Sequence, residues 1–343
     1  MDFLLNSIAA IATIAAFFFF LSPPYVLFKL LRHIARSISK ENVAGKVVLI
    51  VGASSGIGEH VAYEYARRGA CLVLAARREK SLREVADTAL SLGAPEAVAI
   101  PADVSDIDDC KRLISQTIDR FGQLNHLVNC AGVTSMCMLE DITDITRFTQ
   151  VMDINFWGYV YMTYLSLPYL RRSQGKIVAI ASSASWMPAP RMSFYNASKA
   201  AVISFYESLR IELGSDVGIT IVTPGLTELE MTKGKMLNKD GEIVVDQEMR
   251  DAEMSIVPIV RVAPSAMAIV DGACRGDSYL AEPPWVQSTI WWVAFLPEVV
   301  QWLNRWFLVV ESPSDAPSKK LLGVPGMKHL AQPASVWSPV IKE

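Results

Sequence analysis

Cysteine and histidine are too few and too scattered in this sequence to build a disulfide framework or a metal site. The five cysteines (Cys71, Cys110, Cys130, Cys137 and Cys274) form no C-x-x-C pair, and none of His33, His60, His126 and His329 neighbours another. Zinc sites and disulfide scaffolds place such residues at short, repeated spacings, so no metal is expected. Cys71 and Cys130 fall within apolar runs, as small core residues do, and the pattern fits a reducing compartment. Neither charge is in excess. Lys and Arg number 32 against 35 Asp and Glu, a net −3, which offers nothing to a nucleic-acid partner. No internal repeat is visible.

Charge is missing altogether from Phe3 to Leu21, where an Ile- and Ala-rich stretch runs into Phe17–Phe20. That is about the length a helix needs to cross a bilayer. The start carries Asp2 and no base, and no small-residue cleavage pattern follows, which speaks against a signal peptide. Pro23-Pro24 interrupts the run before the apolar Tyr25–Leu31, so two topologies stay open: a span, or a hairpin returning to the same face of a lipid monolayer. Lys29, Arg32, Arg36 and Lys40 follow, and the positive-inside bias puts the remainder on the cytosolic side. Four segments are expected: residues 1–40 as a membrane or lipid-droplet anchor, 41–281 as a catalytic domain, 282–310 as a Trp-rich apolar segment, and 311–343 as a disordered tail rich in Pro, Ser and Lys. Five of the eight tryptophans (Trp285, Trp291, Trp292, Trp302 and Trp306) lie in the third segment. A second membrane contact, a dimer face and a core-packing helix all stay open for it.

Between Lys46 and Ala281, short β-branched runs alternate with longer, charged, helical-looking stretches. The runs are Val47–Val51, Cys71–Ala75, Val98–Ile100, Leu127–Asn129, Ile177–Ala181, Ile219–Thr223 and, at the end, Tyr279–Ala281. This pattern predicts an α/β domain with a doubly wound, Rossmann-like parallel sheet covered by helices on both faces. The first strand leads into Gly52-Ala53-Ser54-Ser55-Gly56-Ile57-Gly58, with a helical stretch beyond. A glycine-rich turn between strand and helix lets backbone approach a pyrophosphate, which the helix N-terminus then attracts. The second strand ends Ala75-Ala76-Arg77-Arg78, with no acid to take the ribose hydroxyls of NAD. Arginine there suits the extra phosphate of NADP, with Arg77 the better candidate and Ser54, Ser55 or Arg78 assisting.

The spacing G-x-x-x-G-x-G resembles the short-chain dehydrogenase/reductase family, with Val51 where the family carries Thr. Tyr195 and Lys199 stand one helical turn apart, so the ammonium can approach the phenol and ease its deprotonation. Ser182 ends an apolar run thirteen residues earlier, the family's Ser-to-Tyr spacing, with Ser183 a competing choice. The resemblance implies that Tyr195 exchanges the proton of an alcohol, Ser182 holds its oxygen, and Lys199 tunes Tyr195 and contacts the nicotinamide ribose. It further implies that Asn155 holds a water relaying protons to the lysine, that Asp103 lies near the adenine, and that Pro224-Gly225 lies beside the nicotinamide. Asn129-Cys130-Ala131-Gly132 is similar to the family's N-N-A-G, Asn129 helping to fix the central sheet and Ala131 and Gly132 meeting the cofactor. Residues 227–262 are expected to form a flexible segment closing over the substrate.

With the Pro-Pro-interrupted N-terminus included, the chain resembles the steroleosins, plant oil-body hydroxysteroid dehydrogenases. This implies NADP(H), a steroid or sterol substrate, and a lipid-droplet or endoplasmic-reticulum surface. Trp186 and Met187, between Ser182 and Tyr195, stand where they can line an apolar pocket. A homodimer is compatible with this reading. Two rivals remain open: a reductase of ketoacyl, ketosphingoid or retinoid lipids, and a lipid-droplet structural or sterol-binding protein with little turnover.

Overall fold

The computed structural model describes residues 2–16, 19, 24, 26–28, 30–31, 40–254, 257–309 and 317. The chain divides into two compact units, one through residue 42 and one from residue 43 onward. In the first, helix α1 covers Asp2–Ala16 and exposes Leu5 and Ile8. Among the described residues, no helix is long and apolar enough to cross a membrane. The choice between span and hairpin turns on residues 17–25, most of which lie outside the described residues, as does nearly all of the tail expected to be disordered.

The second unit is built on seven parallel strands: β1 Val47–Val51, β2 Cys71–Ala76, β3 Ala97–Pro101, β4 His126–Asn129, β5 Lys176–Ile180, β6 Gly218–Pro224 and, last in the chain, β9 Tyr279–Glu282. Their order is β3-β2-β1-β4-β5-β6-β9, the doubly wound arrangement, and each strand read from the sequence is present. Because side chains alternate along a strand, each apolar run feeds two cores. Val48 and Ile50 of β1 face helices α2 (Gly56–Arg67), α3 (Glu79–Ser91) and α8 (Val262–Arg275). Val47, Leu49 and Val51 face α4 (Ile107–Phe121), α5 (Gly158–Ser173) and α6 (Ser193–Leu213). Leu49 is wholly buried, and Leu49→Ala would cost about 2–5 kcal/mol through lost transfer energy and the cavity left behind.

A buried polar lock joins β4 to the helices on the second face. Asn129 Nδ2 donates to Tyr206 Oη at 2.9 Å and to Thr163 Oγ1 at 3.3 Å, and the two hydroxyls are themselves 2.7 Å apart. Upstream of α5 the chain is already helical over Thr149–Met152 and then widens to a π-helical stretch, Asp153–Trp157, that carries Asn155. Such bulges interrupt regular packing and turn side chains toward sites that an α-helix would miss.

The segment 227–262, expected to be flexible and to close over the substrate, carries regular elements among its described residues. Strands β7 (Lys235–Leu237) and β8 (Ile243–Val245) pair antiparallel, and helix α7 covers Gln247–Met254. Beyond β9, α9 (Thr289–Phe295) and α10 (Pro297–Leu308) carry the tryptophans. Trp291, Trp292, Trp302 and Trp306 are each more than half exposed, so these helices are not core-packing elements. Trp302 stacks on Trp306, one turn on, with ring planes 4° apart.

Candidate active site

A cleft opens at the carboxyl ends of the strands, where the order reverses between β1 and β4. Ligands of doubly wound sheets bind at such a switch point. Two glycines shape its floor. A Cβ on Gly52 would fall 2.5 Å from the Ala131 backbone nitrogen, and one on Gly58 would fall 2.3 Å from the Gly52 carbonyl oxygen. Only the bare backbone lets the loop pass beneath the chain leaving β4 and lets α2 begin against it. The first turn of α2, whose N–H groups lack partners within the helix, opens on the cleft at Gly56 and Ile57.

At one end of the cleft lie the cations. Arg78 Nη2 donates to Ser55 Oγ at 2.7 Å and Ser54 Oγ at 3.2 Å, and Arg77 stands 3.7 Å from Asp103. Arg78, placed as an assistant to Arg77 on sequence grounds, is thus the arginine held against the loop serines. At the other end, Ser182, Tyr195 and Lys199 line the wall together with Pro224 and Gly225. Ser182 follows β5 and is pinned by Ala184 N–H, which donates to its Oγ at 3.1 Å; Ser183 does not reach the lining. Tyr195 and Lys199 sit one turn apart at the start of α6, both buried.

Burial governs the titration of these groups. It raises Tyr195 above the usual tyrosine value, with the Ser182 hydroxyl pulling the other way. It pushes Lys199 down to about 8. Lys199 Nζ donates to the Ile180 carbonyl oxygen at 2.9 Å and to Tyr159 Oη at 3.4 Å, and it lies 6.0 Å from the Tyr195 ring centre. In this arrangement the ammonium is turned onto neutral oxygens of β5 and α5. Cys130, also on the cleft, is pushed up to about 12 by burial and stays a neutral thiol.

Five residues expected at the site lie off the cleft lining: Gly58, Asn129, Asn155, Trp186 and Met187. Gly58 and Asn129 act through packing and the polar lock described above. Asn155 Oδ1 accepts from Val133 N–H at 2.8 Å, while Nδ2 donates to the Val133 carbonyl and to Ser198 Oγ, each at 2.9 Å. Its amide clamps the chain after β4 to α6, a positioning role. Trp186 Nε1 donates to Thr289 Oγ1 at 2.9 Å, which ties the loop to α9.

Glu230, Met231, Lys235, Met236 and Ile243, all within the segment expected to close over the substrate, line the cleft, though none was singled out in the sequence. A signal for part of this was present. Met236-Leu237 and Ile243-Val244-Val245 flank Asn238-Lys239-Asp240-Gly241, a hairpin signature, and Gly241 adopts φ +71° with its N–H donating to the Asn238 carbonyl.

The cleft fits a nicotinamide dinucleotide. A glycine loop, a helix start and an arginine mark one end, and a buried tyrosine–lysine pair marks the other. Between them, Gly132 leaves bare the space where a Cβ would sit 3.4 Å from Asn155 Oδ1 and 3.6 Å from Lys199 Nζ. Ser54, Ser55, Gly56, Ile57, Arg77, Arg78 and Asp103 would hold the nucleotide part, with Ala131, Gly132, Lys199, Pro224 and Gly225 further along.

Residues 46–240 match the family described as short chain dehydrogenase. The chain is 53% identical to "11-beta-hydroxysteroid dehydrogenase A" of Sesamum indicum, covering 99% of both chains. It is 51% identical to "11-beta-hydroxysteroid dehydrogenase 1A" of Arabidopsis thaliana, covering 99% of this chain and 98% of that one. A solved structure of an alcohol dehydrogenase from the archaeon Thermococcus sibiricus, complexed with 5-hydroxy-NADP, superposes with a TM-score of 0.57 at 24% identity, covering 69% of this chain and 95% of that one. It shares the fold.

Proposed function

The chain belongs to the short-chain dehydrogenase family and is an oxidoreductase acting on CH–OH groups, and from that premise we propose that it is an NADP(H)-dependent hydroxysteroid dehydrogenase working at a lipid surface. The observation that carries the reading is the cleft itself. It sets Arg78 and the loop serines at one end and Ser182, Tyr195 and Lys199 at the other. The guanidinium suits a phosphate on the ribose, and no acid of β2 stands there to prefer bare hydroxyls.

The nicotinamide, when bound, supplies the hydride acceptor or donor. Tyr195 takes the alcohol proton in oxidation and returns it in reduction, while Ser182 donates a hydrogen bond to the oxygen on which charge develops. The raised Tyr195 keeps its proton near neutrality, the form that serves reduction. Lys199 stabilises the phenolate as that proton leaves. The curated relatives carry hydroxysteroid dehydrogenase names, and an apolar substrate suits the surroundings. Met236, on the cleft, packs in a cluster with Met136, Met192, Leu226, Val244 and Met249, soft side chains that adapt to a bulky apolar ligand. Lipid association is supported by the uncharged N-terminal run and by the exposed tryptophans of α9 and α10.

The test is NADP⁺ reduction by detergent-solubilised protein with a panel of hydroxysteroids, run beside NAD⁺ and Tyr195→Phe controls. Turnover that prefers NADP⁺ and falls about 10²–10⁴-fold in the variant supports the assignment. Binding of NADP⁺ without steroid turnover sinks the steroid part and favours other lipid ketones.

A further inference from the structure

Arg78 is shared between the glycine loop and a carboxylate from the opposite lip. While Nη2 holds the Ser54 and Ser55 hydroxyls, Nη1 donates to Glu230 Oε1 at 2.7 Å. The other oxygen of Glu230 accepts from Lys235 Nζ at 2.9 Å. Burial pushes the Glu230 carboxyl up, but the bonds from Arg78 and Lys235 outweigh it and hold the group below the usual carboxylate value.

The segment that presents Glu230 is ordered by its own hydrogen bonds. Thr232 Oγ1 accepts from Leu229 N–H and donates to the Thr227 carbonyl, both at 2.8 Å. Leu229 in turn lies over the glycine loop, its Cδ2 only 2.7 Å from where a Cβ on Gly56 would be. Glu230 therefore reaches Arg78 from a built turn.

A phosphate recognised by Arg78 and the two serine hydroxyls needs the donors that Glu230 occupies. Two anions within hydrogen-bonding distance of one guanidinium repel each other. Resting on the NADP(H) reading, we infer that Glu230 is a specificity-determining residue that competes with the ribose phosphate for Arg78, and that it sets how tightly phosphorylated nucleotide is held. Lys235 offers the displaced carboxylate a second partner, which keeps the exchange from leaving a half-buried charge alone. Glu230 then tempers the preference for NADP(H) over NAD(H).

Dissociation constants for NADPH, NADH and adenosine 2′,5′-bisphosphate, measured by calorimetry on the full chain, test this. Glu230→Gln, which keeps the shape and removes the charge, is expected to tighten NADPH and the bisphosphate about tenfold, as loss of a competing charge-assisted hydrogen bond should, and to leave NADH nearly unchanged. Lys235→Met is expected to weaken NADPH in the parent, by leaving Glu230 to Arg78 alone, and to have little effect in the Glu230→Gln background. Unchanged or weaker NADPH binding in a folded Glu230→Gln protein would overturn the inference, as would equal tightening of NADH. Arg78→Ala separates the two readings. If it costs NADPH affinity while Glu230→Gln changes nothing, the competition fails and the cofactor reading stands. If the parent binds NADPH no better than NADH and Arg78→Ala alters neither, the cofactor reading falls and the inference with it.

Discussion

Lys199 illustrates how a buried side chain trades stability for function. Its pKa in the folded chain, about 8, lies below the ordinary 10.5, so the unfolded chain binds more protons between those values. The Lys199 contribution to stability without nucleotide is therefore expected to rise as pH rises from about 8 to 10.5, because the cost of burying the ammonium disappears as it loses its proton. Thermal melts of the parent and Lys199→Met over this range check the point: relative to the variant, the parent gains stability as the pH rises. Ser182 poses a separate question. Its Oγ accepts from Ala184 N–H, so its own proton is available to a substrate oxygen. Ser182→Ala is expected to lower kcat by roughly 10²–10³, in proportion to the charge it steadies in the transition state, with nucleotide affinity unchanged.

At the level of elements, a salt bridge ties three separate segments together. Arg191, in the loop before α6, adopts φ +62°, unusual for a side chain with a Cβ. It is held there by Glu253 of α7, at 2.6 Å, and by the Leu308 carbonyl at the end of α10. Burial raises Glu253 to about 7, against the opposing pull of Arg191. The folded protein thus holds this proton more tightly than the unfolded chain does, and the stability it contributes is lost as pH rises from about 4.5 through about 7. Glu253→Gln should flatten that part of the Tm profile. None of this was legible in the sequence, because Arg191, Glu253 and Leu308 lie far apart along the chain and share no spacing. What could be read were features carried by local pattern: apolar runs for the strands, the glycine turn, the one-turn step from Tyr195 to Lys199. Asn155 was found for its position, but not the contacts of its amide with Val133 and Ser198, which join separate elements. The Arg78–Glu230 contact escaped because it joins residues 152 positions apart across the cleft.

For the molecule as a whole, the aromatic face of α9 and α10 is the feature that meets the surroundings. Its four most exposed tryptophans are half of the eight in the chain. If the face rests in a lipid interface, brominated acyl chains in phospholipid vesicles should quench tryptophan fluorescence, and replacing Trp291, Trp292, Trp302 and Trp306 by Ser should remove most of that quenching. Concentration-dependent dimerisation, lost in the same variant, would instead assign the face to a second copy. The strand order carries a consequence of another kind, for the chain as it leaves the ribosome. β1, β2 and β3 neighbour one another and are made first, yet β1 keeps an open edge until β4, its other partner, is synthesised. At roughly 5–20 residues per second, that edge waits for seconds, apolar and ready to pair with a stranger. The nucleotide-holding half can thus take shape before any proton-handling side chain exists, with the edge of β1 standing unpaired through the stretch from β3 to β4.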